Sequence, residues 1–279
     1  MMVAVELSAS TRAALRAALE VGAASGLHPG EPVILQDTNN VVIWLRPHEV
    51  VAKVGVWAYS ATVLGLEVDV SSHLTKLGAP VAEPLAELRV EPMTGLPVSL
   101  WRRLATVPGG QAGDSELADM LGRVHAGLWS YAGPLPSFLA AIDLAEATLF
   151  DDTRMALLAR PDLEVLRVAF AELASQARRW SGPTRPLHGE PHTNNVVVTE
   201  DGPTLVDFEA ASIGPLEWDL ASVPAGVASR LHPDEELLAL MRLLNSARVA
   251  TWGWAQGDHP VMRQHGQHHL EIVRSSLGQ

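Results

Sequence analysis

The sequence contains no cysteine. That absence excludes disulfides, thiol catalysis and any cysteine-ligated zinc or iron–sulfur centre. Lysine is nearly missing as well: of 20 Lys plus Arg, only Lys53 and Lys76 are lysine. No apolar run reaches the roughly 18 to 20 residues that a membrane span needs. The start, Met1 to Leu27, lacks a basic tip, an apolar block and a small-residue cleavage site in that order, so no secretory signal is expected. Positive charge is scarce, with a net charge of -12. That balance argues against sequence-independent nucleic-acid binding, which needs a basic surface. It suits either a pocket for a cationic small molecule or a solvated acidic surface. The expectation is a cytoplasmic protein with a small-molecule partner, no nucleic acid and no membrane; oligomeric state leaves no mark on the sequence.

What is present describes a globular chain. Its 279 residues are 47% hydrophobic and 19% charged, enough for two modest domains sharing a cleft or one large one. Residues 8–25 have the period of an amphipathic helix entered through Ser8 or Ser10. Strand-like runs follow at Val33–Gln36, Val41–Arg46 and Glu49–Val54, separated by Asp37-Thr38-Asn39-Asn40 and by Pro47-His48. A helical pattern covers 57–77 and is closed by Gly78 and Pro80. Strands at Leu85–Glu91 and Val98–Leu104 flank the turn Pro92-Met93-Thr94-Gly95. A loop at Pro108-Gly109-Gly110 then gives way to helices predicted at 114–130, 136–149, 162–180, 216–230, 234–256 and 261–276. One hairpin, Val196–Thr199 with Thr204–Asp207, interrupts them. The expected domains are 1–104, a nucleotide-binding lobe led by helix 8–25, and 105–279, a helical lobe for catalysis and substrate.

The densest chemistry lies between His188 and Asp207. A carboxylate (Glu190), an amide five residues on (Asn195) and a second carboxylate at a strand end (Asp207) fall in one short segment. One carboxylate can accept a hydroxyl proton, while the amide and the other carboxylate offer hard oxygens to Mg²⁺ bridging nucleotide phosphates. Far upstream, Lys53 lies in the apolar run Val50-Val51-Ala52-Lys53-Val54, where an unpaired charge is costly. A slender ammonium there can reach two phosphates in a space too narrow for a planar guanidinium. Lys76 ends a helix, an ordinary place for a cation.

Three linked motifs carry a resemblance. His188-Gly189-Glu190-Pro191-His192-Thr193-Asn194-Asn195, Leu205-Val206-Asp207-Phe208-Glu209, and Gly214-Pro215-Leu216-Glu217-Trp218-Asp219-Leu220-Ala221 occur in that order. The chain resembles the aminoglycoside phosphotransferase/choline kinase family, whose motifs are H-G-D-x-x-x-x-N, I-D-[WF]-E and G-P-x-x-x-D-[LI]-A, and the likeness runs from about Val33 to Ala221. It implies an α+β, protein-kinase-like two-lobe fold. The small lobe is an antiparallel sheet with one long helix; the larger lobe is mainly helical, with a catalytic hairpin. It also implies ATP and Mg²⁺ as cofactors and a small-molecule hydroxyl, cationic by the charge argument, as acceptor. An aminoglycoside or related amino sugar comes first, hence antibiotic resistance, and a choline-like amine second.

By the same resemblance Glu190 falls at the catalytic base and Asn195 and Asp207 at the metal ligands. Lys53 falls at the lysine that grips the α- and β-phosphates, with Glu67 as its helix partner 14 residues on. Asp37, Thr38, Asn39 and Asn40 match the nucleotide-positioning turn, and Trp101, Arg102, Arg103 and Leu104 the segment that contacts adenine. His188 is a scaffold residue of the loop, and Asp219 braces that loop from beneath. Glu209 either adds a carboxylate for a second metal or substrate, or faces solvent.

Competing readings accompany these assignments. His188 and His192 flank Glu190 as H-x-E-x-H, a possible zinc pattern, though no helix sets them on one face. Trp218, Trp252 and Trp254 could form a cation–π cage or belong to the core. The cluster His259, His265, His268 and His269 reads as an exposed helix face. Glu190 itself departs from the family's Asp by one methylene, which moves the carboxylate outward and permits an impaired enzyme or a nucleotide-binding module without turnover.

Overall fold

The computed structural model describes residues 7–57, 59–256 and 260–277. Helix α1 (Ala9–Ala24) leads into strands β1 (Val33–Asp37), β2 (Asn40–Trp44) and β3 (Val50–Gly55). Helix α2 (Ser60–Lys76), strands β4 (Arg89–Val90) and β5 (Pro97–Arg102) and helix α3 (Asp114–Leu128) follow. Next come α4 (Leu139–Leu149), α5 (Arg160–Arg179), β6 (Arg185–Leu187), β7 (Val196–Thr199), β8 (Gly202–Leu205) and β9 (Ser212–Gly214). The chain continues through α6 (Leu216–Leu220), α7 (Ala225–Arg230), α8 (Glu235–Ala255) and α9 (Pro260–Leu277). None of the helices is long and apolar enough to cross a membrane, among the described residues.

By contacts the chain divides into two units, Met1–Gly133 with Asn194–Ala211, and Pro134–Thr193 with Ser212–Gln279. Helix α3 and the hairpin β7–β8 therefore go with the N-terminal sheet, not with the helices as a boundary at 104/105 would have them. The reason is pairing and packing. Val107 N–H donates to the Val198 carbonyl on one side of the hairpin; on the other, Leu205 N–H donates to Pro80 and Ala82 N–H to Leu205. A Cβ on Gly127 of α3 would meet Leu74 of α2 at 2.7 Å, so glycine lets the two helices approach closely.

The first unit is built on an antiparallel sheet of order β1-β2-β3-β5-β4. Ser8 starts α1 by accepting the Thr11 N–H. The small face Ala14, Ala17, Ala18 and Val21 packs on Val41, Ile43, Val50, Ala52, Val54, Val98 and Leu100. Because a strand alternates its faces, Val50, Ala52 and Val54 point to α1 while Val51 and Lys53 point to the other side. There Val51 meets Trp101, Val68 and Ala82. Helix α2 buries Leu64, Glu67, Val68, Ser71 and Leu74, spaced three or four apart as a helix requires.

Two elements here are shorter than the sequence pattern predicts. The strand expected at Leu85–Glu91 shrinks to Arg89–Val90, because Pro84 and Leu85 touch β5 only at isolated points, Pro84 opposite Trp101 and Leu85 N–H on the Leu100 carbonyl. Helix α2 begins at Ser60, not 57, since the Ser60 hydroxyl accepts the Trp57 N–H and turns the chain first. Gly55 is the hinge of that entry: a Cβ there would lie 2.2 Å from Ser60 Cβ.

In the second unit, α4, α5, α8 and α9 surround a core of Ile142, Leu149, Leu166, Phe170, Met241, Leu244, Leu270 and Val273. The helix expected at 216–230 is two helices. Pro224, lacking an N–H to continue the ladder, ends the run and caps α7. The helix expected from 136 starts at Leu139, because Pro136 and Phe138 exchange backbone hydrogen bonds with Ile213. The pair β6–β9, unforeseen in the sequence, sets the loop 188–192 directly after a strand.

Candidate functional site

The residues singled out above are divided between the two units, most of them in the first. In the first unit, β3 presents Lys53 on the face toward α2, and its ammonium is surrounded by acids. Nζ lies 2.8 Å from Glu67 Oε2, 2.8 Å from Asp207 Oδ1 and 2.6 Å from Glu209 Oε1. Asn40, at the start of β2, donates its side-chain N–H to Glu209 Oε1 at 2.6 Å. Burial alone would lower the Lys53 ammonium, but Glu67, Asp207 and Glu209 together outweigh it and hold the group above its ordinary value. Burial pushes the Glu67 carboxyl up to about 7, with Lys53 pulling the other way. Burial likewise raises Glu209. Oxygens of Glu67, Asp207 and Glu209 lie within 4.8 Å of one another, a set that could share a cation.

The hairpin explains why Asp207 is where it is. The strand expected to run through Asp207 stops at Leu205, and Asp207 adopts φ 72, ψ 62. The left-handed region is uncommon for a residue with a Cβ and is tolerated best by Asp and Asn. That reversal sends the side chain to Lys53 and starts the short turn Phe208–Ala210 that delivers Glu209. On the facing strand, at the same end of the ladder, Asn195 closes a 3-10 turn and its carbonyl accepts the N–H of Val206. Asn195 and Asp207 thus flank the open end of one hairpin.

The remaining candidates of this unit lie in plainer surroundings. Asp37 accepts a hydrogen bond from Thr11 of α1 at 2.7 Å, and Thr38 accepts one from Gln36. Thr38 and Asn39 are exposed in the β1–β2 turn. Of the segment matched to adenine, the Trp101 ring is in the core, 7% exposed, with its indole N–H donated to Ser99 Oγ at 2.8 Å. The alternation of β5 sends it inward against Val68 and Ala82. Arg102 pairs with Glu83, and Arg103 with Glu49 while lying over the Trp44 ring. Leu104 is half-buried beside Trp101.

In the second unit, the loop after β6 is pinned from below. Asp219 on α6 is fully buried and accepts two backbone N–H groups, from His188 at 3.0 Å and from Gly189 at 2.7 Å. Gly189 has φ 94, a conformation that favours glycine. The His188 ring, also fully buried, accepts the Glu190 N–H on Nδ1 at 3.1 Å. This occupies one of the two ring nitrogens that the H-x-E-x-H zinc reading could use. Among the described residues the group placed to share an ion is the three carboxylates of Glu67, Asp207 and Glu209 instead.

Glu190 has a partner the sequence did not suggest: Arg248 of α8, whose Nη1 pairs with Glu190 Oε1. Two of the tryptophans proposed for a cage already meet cations of the chain itself. Arg248 lies over Trp218, whose ring also meets Phe138 at a tilted angle, and Arg154 lies over Trp252. Trp254 packs against the core.

Of the histidine cluster, His259 lies outside the described residues, and His265 and His268 are exposed as expected. His269 is not: it is half-buried, and its pKa is pushed down to about 4 by burial, then by His268, His265 and Arg248. A histidine whose folded pKa is depressed contributes stability above about 6.5 that is lost as pH falls through about 4. Between pH 6.5 and 4 the protein is expected to lose about 1 to 2 kcal/mol from this residue, allowing for its partial exposure. His269→Leu should flatten that part of a pH series of thermal midpoints; an unchanged series would show that His269 is not the group responsible.

Residues 36–260 match the family model of the phosphotransferase enzyme family. The chain belongs to that family. In sequence, no curated protein matches it. Its fold is similar to a choline/ethanolamine kinase family protein from Mesorhizobium loti at 18% identity and TM-score 0.65, over 95% of this chain and 94% of that one. It is similar to an amicoumacin kinase in complex with AMP-PNP, Ca²⁺ and Ami at 13% identity and TM-score 0.72, over 97% and 96%. It is also similar to the GDP complex of an aminoglycoside 2'-phosphotransferase at 14% identity and TM-score 0.65, over 94% and 98%. At such identities the likeness establishes the kinase-like fold, with its antiparallel sheet and helical region.

Proposed function

We propose that the protein is an ATP- and Mg²⁺-dependent kinase that transfers the γ-phosphate to a hydroxyl of a small cationic acceptor of the aminoglycoside or amino-sugar class. The observation that carries this reading is the buried Lys53 ammonium held by Glu67, Asp207 and Glu209. A fold gains little from burying one cation among three acids; a phosphate-handling site needs the charge positioned. Lys53 would grip the nucleotide phosphates, with Glu67 holding it in place. Asn195 and Asp207 have the hard oxygen donors that suit Mg²⁺, which when bound neutralises charge on the phosphate oxygens. Asn40 and the exposed turn Thr38-Asn39 would face the phosphates, and residues 102–104 the base. Glu190 would accept the proton of the acceptor hydroxyl. The acceptor class is supported by the net charge of -12 and by the antibiotic kinases among the similar folds.

The test is transfer of labelled γ-phosphate from ATP across a panel of aminoglycosides, amino sugars and choline-like amines. Labelled product from a member of the first two classes supports the reading, and product from amines alone would move the acceptor to the choline class. In parallel, Asp207→Ala is expected to weaken Mg²⁺-dependent nucleotide binding by about tenfold or more, read by calorimetry. Undiminished binding would contradict the placing of the metal.

A further inference from the structure

The extra methylene of Glu190 invites the reading of a displaced, weakened base. The surroundings of its carboxylate indicate something else. Arg248 projects from α8, with 11% of its side chain exposed, and pairs through Nη1 with Glu190 Oε1. The guanidinium is itself held: Nε and Nη2 both donate to Asn245 Oδ1, at 3.2 and 2.9 Å. Its plane lies over the Trp218 ring, 5.6 Å from the centroid. Asn245 is one helical turn before Arg248, so a single rigid element carries both. The guanidinium is therefore fixed by α8 and α6 before Glu190 reaches it.

We propose that Arg248 is a positioning residue for Glu190, and that Glu is present at 190 because its longer arm reaches this guanidinium. This rests on Glu190 being the group that takes the acceptor proton. A free glutamate side chain populates many rotamers, and ordering it costs up to about 2 kcal/mol. A charge-assisted bond to a planar fork already locked by Asn245 and Trp218 selects one. An aspartate on the same backbone ends one methylene short of Arg248. The departure from the family's residue and the arginine 58 positions downstream are then two parts of one device.

The pairing makes an unusual prediction, measurable without knowing the acceptor, by following Mg²⁺-ATP hydrolysis with water as acceptor. Glu190→Asp, which restores the family's residue, should lower kcat by about tenfold or more, because misplacement by an ångström costs that much or more. Arg248→Met should lower kcat by a similar factor with KM for ATP within about twofold, and Arg248→Lys should recover part of the loss. In the Glu190→Gln background, Arg248→Met should cost nothing further, since it acts through Glu190. A Glu190→Asp enzyme as fast as wild type or faster, or losses that multiply, would overturn the positioning role. Thermal midpoints of the Glu190→Gln, Arg248→Met and double variants must also couple; additive shifts would overturn the pairing itself. Wild type that hydrolyses no ATP would instead remove the kinase reading, and this inference with it.

Discussion

Lys53→Met is expected to cost both stability and turnover, and the two losses should respond differently to a second substitution. Methionine matches the lysine stem in volume but leaves Glu67, Asp207 and Glu209 without their cation. Glu67 is the severe case, at 3% exposure. Breaking a buried ion pair by removing one partner costs about 3 to 5 kcal/mol. For a chain of this size that corresponds to a fall in thermal midpoint of about 6 to 15 °C. The loss should be greater at pH 8 than at pH 6. The Glu67 carboxyl is already raised to about 7 by burial, with Lys53 opposing. Without Lys53 the folded state holds that proton more tightly, so stability is present at low pH and is lost as pH rises through the raised folded value. Lys53→Met with Glu67→Leu should recover most of the midpoint, since a buried pair replaced by apolar groups is often neutral or stabilising. It should recover no turnover. If the double variant regained phosphate transfer, Lys53 would be a structural residue and the proposed function would lose its main support.

That separation is also why part of this site was legible in the sequence. A lysine in an apolar strand and a glutamate on the following helix are local anomalies, visible because strand and helix periods are local properties. The structure brings Lys53 and Glu67 together at 2.8 Å, and sets Asn195 and Asp207 at the open end of one hairpin. Other features have no local signature. Trp101 reads like any aromatic near a strand end, and its inward direction is decided by the register of β5 on β3, where Val51 pairs with it. Glu209 could have faced solvent by its spacing alone; the left-handed turn at Asp207 delivers it to Lys53 and Asn40. Arg248 is one of two arginines on α8. Nothing in its neighbours along the chain marks Glu190 as its partner, because that contact depends on how α8 packs on α6. The break between α6 and α7 is a different matter: Pro224 is a local signal, and the helical period on either side of it masks the break.

Asp219→Ala is expected to disable the loop without touching the first-unit residues proposed to bind nucleotide. The carboxylate accepts the N–H groups of His188 and Gly189, and all three residues are buried. Removing it strands two buried donors, at a cost of about 3 to 5 kcal/mol in total. Asn is not a conservative replacement here. It offers one acceptor oxygen, and its amide then meets the other backbone donor with a donor of its own. Asp219→Asn should therefore retain part of the stability and still misplace Glu190, whose own N–H is held by the His188 ring in the same loop. A shift of about an ångström at a reacting group costs on the order of a hundredfold in kcat. Nucleotide affinity, assigned to Lys53, Asn195 and Asp207, should change little, so titration of AMP-PNP into Asp219→Asn separates the two effects. Nucleotide binding lost in parallel with turnover would mean that Asp219 supports the whole fold; binding retained with kcat lowered is the result expected of a brace beneath a catalytic loop.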